Sequence, residues 1–383
     1  MKVLRISCVF GGFLFLVLSL SAQTFNSLYS FNFTDGAYPV APLIQATNGT
    51  FYGTTEGGAN PSCGVGMWYD IGCGTVFKIT PGGNLTTLYS FCSQNNCTDG
   101  QNPYAGLIRA TDGNFYGTTE GGGANGDGTV FKITPGGKLT TLHSFDSTDG
   151  ANPYAGLVQA SNGKLYGTTE GGGTSSDGAV FKITPGGKLT ALHSFDGTDG
   201  ANPYAGLVQA TDGNFYGTTS NGGRYTLNPL TTCEECGTVF KITPKGKLTT
   251  LYSFNSDGAY PVAPLIQAAN GSFYGTTQYG GSGDNCVYYL NDTCGTVFSL
   301  SVGLGPLVET NPTSGKVGAA VNILGTDLTG ATNVTFNGTA AVFEVASASL
   351  IKTTVPEGAT TGTVEVTTPK GTLKSNVVFR VTK

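Results

Sequence analysis

The sequence predicts an all-β protein, a five-bladed β-propeller closed by its N-terminal strand and followed by an Ig-like β-sandwich. The first observation is a motif, Tyr-Gly-Thr-Thr, that recurs five times, beginning at Tyr52, Tyr116, Tyr166, Tyr216 and Tyr274. The second is that each copy lies in a repeat of about 50 residues rich in Val, Phe, Tyr and Thr, a length typical of a four-stranded propeller blade. The third is that the repeat stops after Ser301, where short alternating apolar patterns typical of a sandwich begin.

The third repeat unit shows how each blade is predicted. Its four strands are expected at residues 155–160, 164–169, 179–184 and 189–195. Asn162-Gly163 and Pro185-Gly186-Gly187 supply hairpin turns, and a glycine-rich loop separates the second strand from the third. No segment of the unit has a helical period, so the blade reading is favoured.

The two ends of the repeat array predict how it closes. The fifth unit stops after its third strand, near residue 300, whereas residues 25–31 carry an isolated copy of the fourth-strand sequence. Pairing of this segment into the last unit would complete five blades and remove the bare sheet edge. An open solenoid is the competing fold, although it does not explain the displaced strand.

The N-terminus resembles an export signal. Lys2 and Arg5 precede an apolar stretch at residues 9–20, and Ser21-Ala22-Gln23 offers a cleavage site. The stretch is too short to span a bilayer, so residues 1–23 are expected to be a signal peptide and the mature chain to have no transmembrane segment. The expected domains are the propeller at 24–301 and the Ig-like domain at 302–383.

The composition argues against nucleic-acid binding, and the cysteine count predicts disulfides. The chain has 383 residues, 60 glycines, only 11% charged residues and a net charge of −5. Without a basic run, nucleic acid is not an expected partner. Eight cysteines follow the signal, and their spacing predicts local disulfides between Cys63 and Cys73, Cys92 and Cys97, Cys233 and Cys236, and Cys286 and Cys294. A redox or zinc role for Cys233 and Cys236 is the less favoured alternative.

Two family resemblances follow from motifs. Residues 304–382 resemble an IPT/TIG domain through Val321-x-Ile323-x-Gly325, Val334-x-Phe336-x-Gly338 and similar pieces. Residues 24–301 resemble the bacterial choice-of-anchor tandem-repeat proteins of the GloVer type through Gly-Thr-Val-Phe-Lys-Ile-Thr-Pro-Gly-Gly, at residues 128–137, and its copies. The first resemblance implies an Ig-like spacer or interaction module without catalysis. The second implies an exported protein, and it supplies no catalytic residues.

Repeated polar residues are the candidates for ligand binding on the face that carries the long loops. Asp35, Asp99, Asp149, Asp199 and Asp257 recur in Asp-Gly-x-x-Pro, where they either shape the turn or form a ring that binds sugar hydroxyls or calcium. The turn role is favoured, so no cofactor is expected and calcium is the alternative.

Aromatic and acidic residues complete the candidate set. Tyr104, Tyr154 and Tyr204 follow the proline of this loop, while Glu120 and Glu170, with Glu56, end second strands. Trp68 lies in the loop between Cys63 and Cys73. These aromatic rings suit stacking on sugars or contact with protein, and packing between blades explains the tyrosines equally well.

The sequence therefore predicts a bacterial protein that is secreted or held at the cell surface or in the periplasm. Its expected role is a non-catalytic binding or adhesion module for carbohydrate or extracellular protein. A carbohydrate-active hydrolase or lyase is the alternative, because paired carboxylates can cleave glycosides. A structural envelope protein is a further alternative.

Overall fold

The computed structural model describes residues 25–46, 48–61, 63, 71–223, 236–255, 257–281 and 294–382. The expected signal peptide and Trp68 lie outside these residues. Regular structure in the described part is β-strand, with one 3-10 turn at Asn95–Cys97. None of the helices found there has the length and hydropathy needed to cross a bilayer.

Each sequence unit folds into one antiparallel sheet whose strands follow one another in chain order. Unit 1 contains β1 (Ile44–Gln45), β2 (Phe51–Thr55), β3 (Thr75–Ile79) and β4 (Leu85–Ser90), and unit 2 contains β5 (Ile108–Arg109), β6 (Phe115–Thr119), β7 (Thr129–Ile133) and β8 (Leu139–Ser144). Unit 3 contains β9 (Val158–Gln159), β10 (Leu165–Thr169), β11 (Ala179–Ile183) and β12 (Leu189–Ser194), and unit 4 contains β13 (Val208–Gln209), β14 (Phe215–Thr219), β15 (Thr238–Ile242) and β16 (Leu248–Ser253). Among its described residues, unit 5 contains β17 (Ile266–Gln267), β18 (Phe273–Thr277) and β19 (Thr296–Leu300) and no fourth strand.

The glycine of the recurring motif allows a phenylalanine to lie across the sheet. In unit 3, Gly167 on β10 pairs with Phe181 on β11. A Cβ atom at Gly167 would lie 2.6 Å from the Phe181 ring, a separation that real Cβ atoms do not reach. The same glycine and phenylalanine are opposite each other in all five units.

The hydrophobic core lies between neighbouring units rather than within each sheet. Tyr166 of unit 3 stacks on Phe215 of unit 4 with ring centroids 4.0 Å apart. Phe195, which directly follows the fourth strand of unit 3, meets Phe240 of unit 4 edge to face with ring centroids 5.2 Å apart. Four such clusters of buried residues lie along the described part of the array, one at each junction between units. Face-to-face packing of successive sheets therefore stabilises the array.

The N-terminal segment, residues 25–31, occupies the place of a fourth strand against unit 1 but belongs to no sheet. Phe31 contacts Phe77 at 5.2 Å, as Phe195 contacts Phe240. The distances at the last hairpin of the unit agree. A Cβ atom at Gly83 of unit 1 would lie 2.7 Å from the Leu28 carbonyl oxygen, and one at the equivalent Gly187 of unit 3 would lie 2.8 Å from the Leu142 carbonyl oxygen, on the fourth strand of unit 2.

The pairing of this segment with unit 5, which the sequence predicts, is not seen. Residues 25–31 are attached to unit 1 by side-chain packing, and their backbone forms no ladder with β19. In the described residues β19 has no fourth strand beside it, and no further unit packs on its sheet. Val297 is 80% exposed, while the equivalent Val239 is 1% exposed.

The tail contains two four-stranded sheets that share one core. One sheet has the order β20 (Val308–Asn311), β22 (Ala320–Gly325), β26 (Leu350–Thr354) and β25 (Phe343–Ser347), and the other has the order β24 (Thr339–Ala340), β23 (Asn333–Phe336), β27 (Val364–Thr368) and β28 (Gly371–Lys374). A short parallel pair, β21 (Ser314–Lys316) with β29 (Arg380–Thr382), joins the ends of the domain. Ile323 and Val366, from the two sheets, are both fully buried in the shared core.

Candidate functional site

An Asn-Pro-Tyr sequence at the start of units 2, 3 and 4 positions a tyrosine against the preceding unit. The asparagines, Asn102, Asn152 and Asn202, adopt left-handed backbone angles with φ between 53° and 54°. Each side-chain amide donates a hydrogen bond to the carbonyl oxygen of the glutamate that follows the second strand of the preceding unit, at 3.0, 3.4 and 3.2 Å, respectively. The asparagine therefore ties two units together and fixes the next residues beside that glutamate.

The tyrosines and glutamates of these junctions form one cluster, which we call the Tyr–Glu ladder. Its members are Tyr104, Tyr154, Tyr204, Glu56, Glu120 and Glu170. The ring of Tyr154 lies 5.5 Å from Tyr104 and 5.1 Å from Tyr204 between centroids. Its hydroxyl donates to Glu120 Oε1 at 2.5 Å. Tyr104 and Tyr204 are 43% and 37% exposed, so the ladder is open to solvent.

Burial and mutual repulsion affect the charges of the ladder. Burial raises the pKa of Glu56 above its usual range, and the negative charge of Glu120 adds to the effect. The pKa of Glu170 is raised for the same two reasons, although hydrogen bonds from Tyr204 and Asn202 oppose the change. Burial also raises the pKa of Tyr154, so its hydroxyl remains a donor at neutral pH. The ladder thus offers flat aromatic faces beside carboxylates that accept hydrogen bonds.

The ladder does not continue into unit 5. In place of the glutamate, unit 4 has Ser220, whose hydroxyl donates to the Asn202 carbonyl oxygen at 2.9 Å. Unit 5 has Gln278, which donates to the Tyr279 hydroxyl at 3.1 Å. Tyr260 replaces the asparagine and contacts Tyr279 edge to face at 5.5 Å. The site is therefore asymmetric, although the scaffold around it is repeated.

The five repeated aspartates are placed in their own turns. Asp99 accepts hydrogen bonds from the Tyr89 hydroxyl at 2.7 Å and from the Ser93 backbone N–H at 3.0 Å. In the loops that follow units 2 and 3, the equivalents Asp149 and Asp199 lie 2.7 Å from His143 Nε2 and His193 Nε2. Asp35 and Asp257 have the corresponding contacts with the hydroxyls of Tyr29 and Tyr252. Each carboxylate thus joins the loop between two units to the fourth strand of the earlier unit or, for Asp35, to the N-terminal segment.

Disulfides hold the inserted loops. Cys63 and Cys73 are bonded with 5.0 Å between Cα atoms, and Cys92 and Cys97 with 4.0 Å. Cys236 and Cys294 are disulfide-bonded as well, while Cys233 and Cys286 lie outside the described residues.

Sequence reasoning missed the asparagines of the Asn-Pro-Tyr motif. The sequence feature that could have revealed them is that asparagine precedes the proline of this loop in units 2, 3 and 4 but not in units 1 and 5.

Comparison with known families identifies both parts of the chain. The Gloeobacter/Verrucomicrobia repeat family matches residues 11–230, which is more than half of the sequence. The chain belongs to the Gloeobacter/Verrucomicrobia repeat family. An IPT/TIG domain follows at residues 308–381. The two matches agree with the two family resemblances carried by the sequence motifs. The search of curated proteins found none that is significantly similar to this repeat protein.

Solved structures resemble this repeat protein only loosely. A protein of unknown function from Bacteroides thetaiotaomicron has 15% identity and a TM-score of 0.39, over 88% of this chain and 70% of that one. A putative 6-phosphogluconolactonase from Bacteroides uniformis has 14% identity and a TM-score of 0.37, over 78% and 85% of the two chains. An α-L-arabinofuranosidase from Clostridium thermocellum has 16% identity and a TM-score of 0.34, over 68% and 88%. Similarity at this level carries no information about activity.

Proposed function

We propose that the protein is an exported, non-catalytic binding module that recognises carbohydrate at the bacterial surface through the Tyr–Glu ladder. The observation that carries this proposal is the continuous row of Tyr104, Tyr154 and Tyr204 beside three glutamates. Tyrosine faces stack on the apolar faces of sugar rings, and carboxylates accept hydrogen bonds from sugar hydroxyls. The IPT/TIG domain fits the same role as an Ig-like spacer.

We further infer that the five units close into a ring in which residues 25–31 supply the fourth strand of unit 5. Support comes from the sequence of this segment and from its fourth-strand placement against unit 1. Closure would cover Val297 and bring unit 5 beside unit 1, next to Glu56. The ladder would then lie on one sector of a complete five-bladed propeller.

Glycoside hydrolysis is the second candidate, and one observation favours it. The pKa of Glu170 is raised by burial and by the nearby Glu120, and two neighbouring carboxyl groups, one of them with a raised pKa, are the kind of pair that general acid catalysis uses. Release of reducing sugar by the wild type, abolished in Glu120→Gln, would establish this activity in place of simple binding.

A glycan array tests the proposed function. The mature protein is applied with and without EDTA, beside Tyr154→Ala and the control Tyr279→Ala. Tyr279 is a tyrosine of unit 5 that is 36% exposed and lies outside the ladder. We expect a specific carbohydrate signal that Tyr154→Ala loses and Tyr279→Ala keeps. Loss with EDTA would point instead to a cation at the aspartate turns. No signal on any glycan would refute carbohydrate binding and favour a protein partner.

A further inference from the structure

Two disulfides lie side by side where unit 2 packs on unit 1. Cys63 and Cys73 belong to the buried cluster at this junction, and Cys92 and Cys97 pack against it. The sulfur atoms of Cys63, Cys92 and Cys97 all lie within 4.8 Å of one another. Disulfides exchange when a thiolate attacks a sulfur of another bridge, so a thiolate released from Cys92–Cys97 would already lie beside its target.

The two bridges differ in their access to solvent. Cys63 is 4% exposed and Cys73 is 0% exposed. Cys97 is only partly buried, and it ends a loop in which residues 93–96 are exposed. A dissolved thiol therefore reaches the Cys97 sulfur directly, whereas it reaches Cys63–Cys73 only when the core opens locally.

The backbone of the outer loop is strained. Cys92 and Cys97 adopt left-handed angles, with φ of 56° and 52°, which are unfavourable for residues that carry a Cβ atom. Gly197 occupies the position of Cys97 in the loop after unit 3, since the carbonyl oxygens of Cys97 and Gly197 accept equivalent hydrogen bonds from the N–H groups of Gly123 and Gly223. Opening the Cys92–Cys97 bridge allows these angles to relax, and accessible, strained disulfides are the ones that are reduced most readily.

The buried bridge belongs to the contact between units 1 and 2. The Asn102 N–H donates to the Cys73 carbonyl oxygen at 2.8 Å, and the Asn102 side-chain amide donates to the Gly72 carbonyl oxygen at 3.0 Å. Reduction of the buried bridge therefore acts at a junction of the array and not at a peripheral loop.

We propose that Cys92–Cys97 is a redox-active disulfide that accepts electrons from a dithiol and transfers them to the buried bridge Cys63–Cys73. The dithiol attacks Cys97 and leaves as its own intramolecular disulfide, so that Cys92 and Cys97 both become thiols. The Cys92 thiolate then attacks the Cys63 sulfur, the Cys63–Cys73 bond breaks, and Cys73 leaves as a thiolate. Finally, the Cys97 thiolate attacks Cys92 in the mixed disulfide, which restores Cys92–Cys97 and releases Cys63 as a thiolate. One dithiol is oxidised for each buried bridge that is reduced, and this relay is independent of the function proposed for the Tyr–Glu ladder.

Timed alkylation tests the order of reduction. The folded mature chain is treated with dithiothreitol, a dithiol, samples are quenched with iodoacetamide at intervals, and mass spectrometry gives the alkylated fraction of each cysteine. The rate at which Cys63 and Cys73 become alkylated should fall about tenfold or more in the double variant Cys92→Ser/Cys97→Ser, because reduction then waits for local opening of the core. A matched control, which should be reduced at these two cysteines like the wild type, replaces the four cysteines of units 4 and 5 by serine, namely Cys233, Cys236, Cys286 and Cys294.

A single variant captures the exchange itself. In Cys97→Ser the mixed disulfide cannot be resolved, so a Cys63–Cys92 bridge should accumulate with Cys73 as a free thiol, which peptide mapping after alkylation identifies. Circular dichroism verifies that each variant is folded, and Cys97→Ser decides the question if the double variant does not fold. The proposal is wrong if Cys97→Ser keeps Cys63–Cys73 intact with Cys92 as the free thiol. It is also wrong if the folded double variant loses Cys63–Cys73 as fast as the wild type.

Discussion

Ring closure makes a sharp prediction about one valine. Val239 on β15 is 1% exposed, and its equivalents Val76, Val130 and Val180 are fully buried. Val239 is buried where unit 5 packs on the sheet of unit 4, whereas Val297 on β19, on which no further unit packs among the described residues, is 80% exposed. Replacing a buried valine by threonine exchanges a methyl group for an unpartnered hydroxyl, which costs about 1–3 kcal/mol. The same change on an exposed strand surface costs at most about 0.5 kcal/mol.

The pair Val297→Thr and Val239→Thr therefore measures whether β19 is covered in solution. Urea denaturation of the mature wild type and of both variants gives the change in free energy of unfolding from the midpoint and the m-value. If the ring closes, so that residues 25–31 complete unit 5 and unit 1 packs on it, Val297→Thr loses about as much stability as Val239→Thr. If Val297→Thr unfolds like the wild type while Val239→Thr is destabilised, the reasoning for a closed ring fails.

Three further predictions follow from the described contacts. Gly167→Ala should lower the free energy of unfolding by more than about 2 kcal/mol, because the added Cβ would overlap the Phe181 ring. Gly163→Ala has no atom within 4 Å of the added Cβ, so it should lower stability by only about 1 kcal/mol, which reflects its φ of 77°. Similar thermal midpoints for the two variants would contradict this packing. The pKa of Glu170 is raised in the folded protein, so the wild type loses stability as the pH rises from below the unfolded pKa of this group through its folded pKa. The stability of Glu170→Gln relative to the wild type should therefore increase by less than about 1 kcal/mol between pH 4 and pH 7. Urea titrations in which this difference does not change with pH would disprove it. Removing the Cys63–Cys73 bridge by a double serine substitution should lower the free energy of unfolding by about 3 kcal/mol, as expected for a closed loop of 10 residues. If dithiothreitol leaves the unfolding midpoint of the wild type unchanged, the bridge does not stabilise the fold.

The turn residues at the ends of the strands explain why much of the repeat scaffold can be predicted from sequence. In unit 3, Asn162-Gly163 and Pro185-Gly186-Gly187 locate the turns, so the second, third and fourth strands agree with prediction to within one residue at each end. The first strand is much shorter than predicted, at Val158–Gln159 instead of residues 155–160. Residues before it serve other contacts: Ala151 forms an isolated bridge with Gly171, and the Ala155 carbonyl oxygen accepts a hydrogen bond from Thr118 of unit 2.

The candidate site depends on geometry between units, which the sequence pattern does not contain. Tyr154 and Glu120 are 34 residues apart and meet only because unit 3 packs on unit 2. Each residue alone fits a packing role, and the sequence gives no sign of their pairing.

Binding stoichiometry at the Tyr–Glu ladder tests the central claim most directly. A glycan identified on the array is titrated calorimetrically into the mature wild type, Tyr154→Ala and Tyr260→Ala. Tyr260 lies in unit 5, at the position that Asn102 holds in unit 2. The asymmetric ladder predicts one site per chain, lost in Tyr154→Ala and retained in Tyr260→Ala. Five equivalent sites per chain, or full affinity in Tyr154→Ala, would show that the ladder is not the binding site.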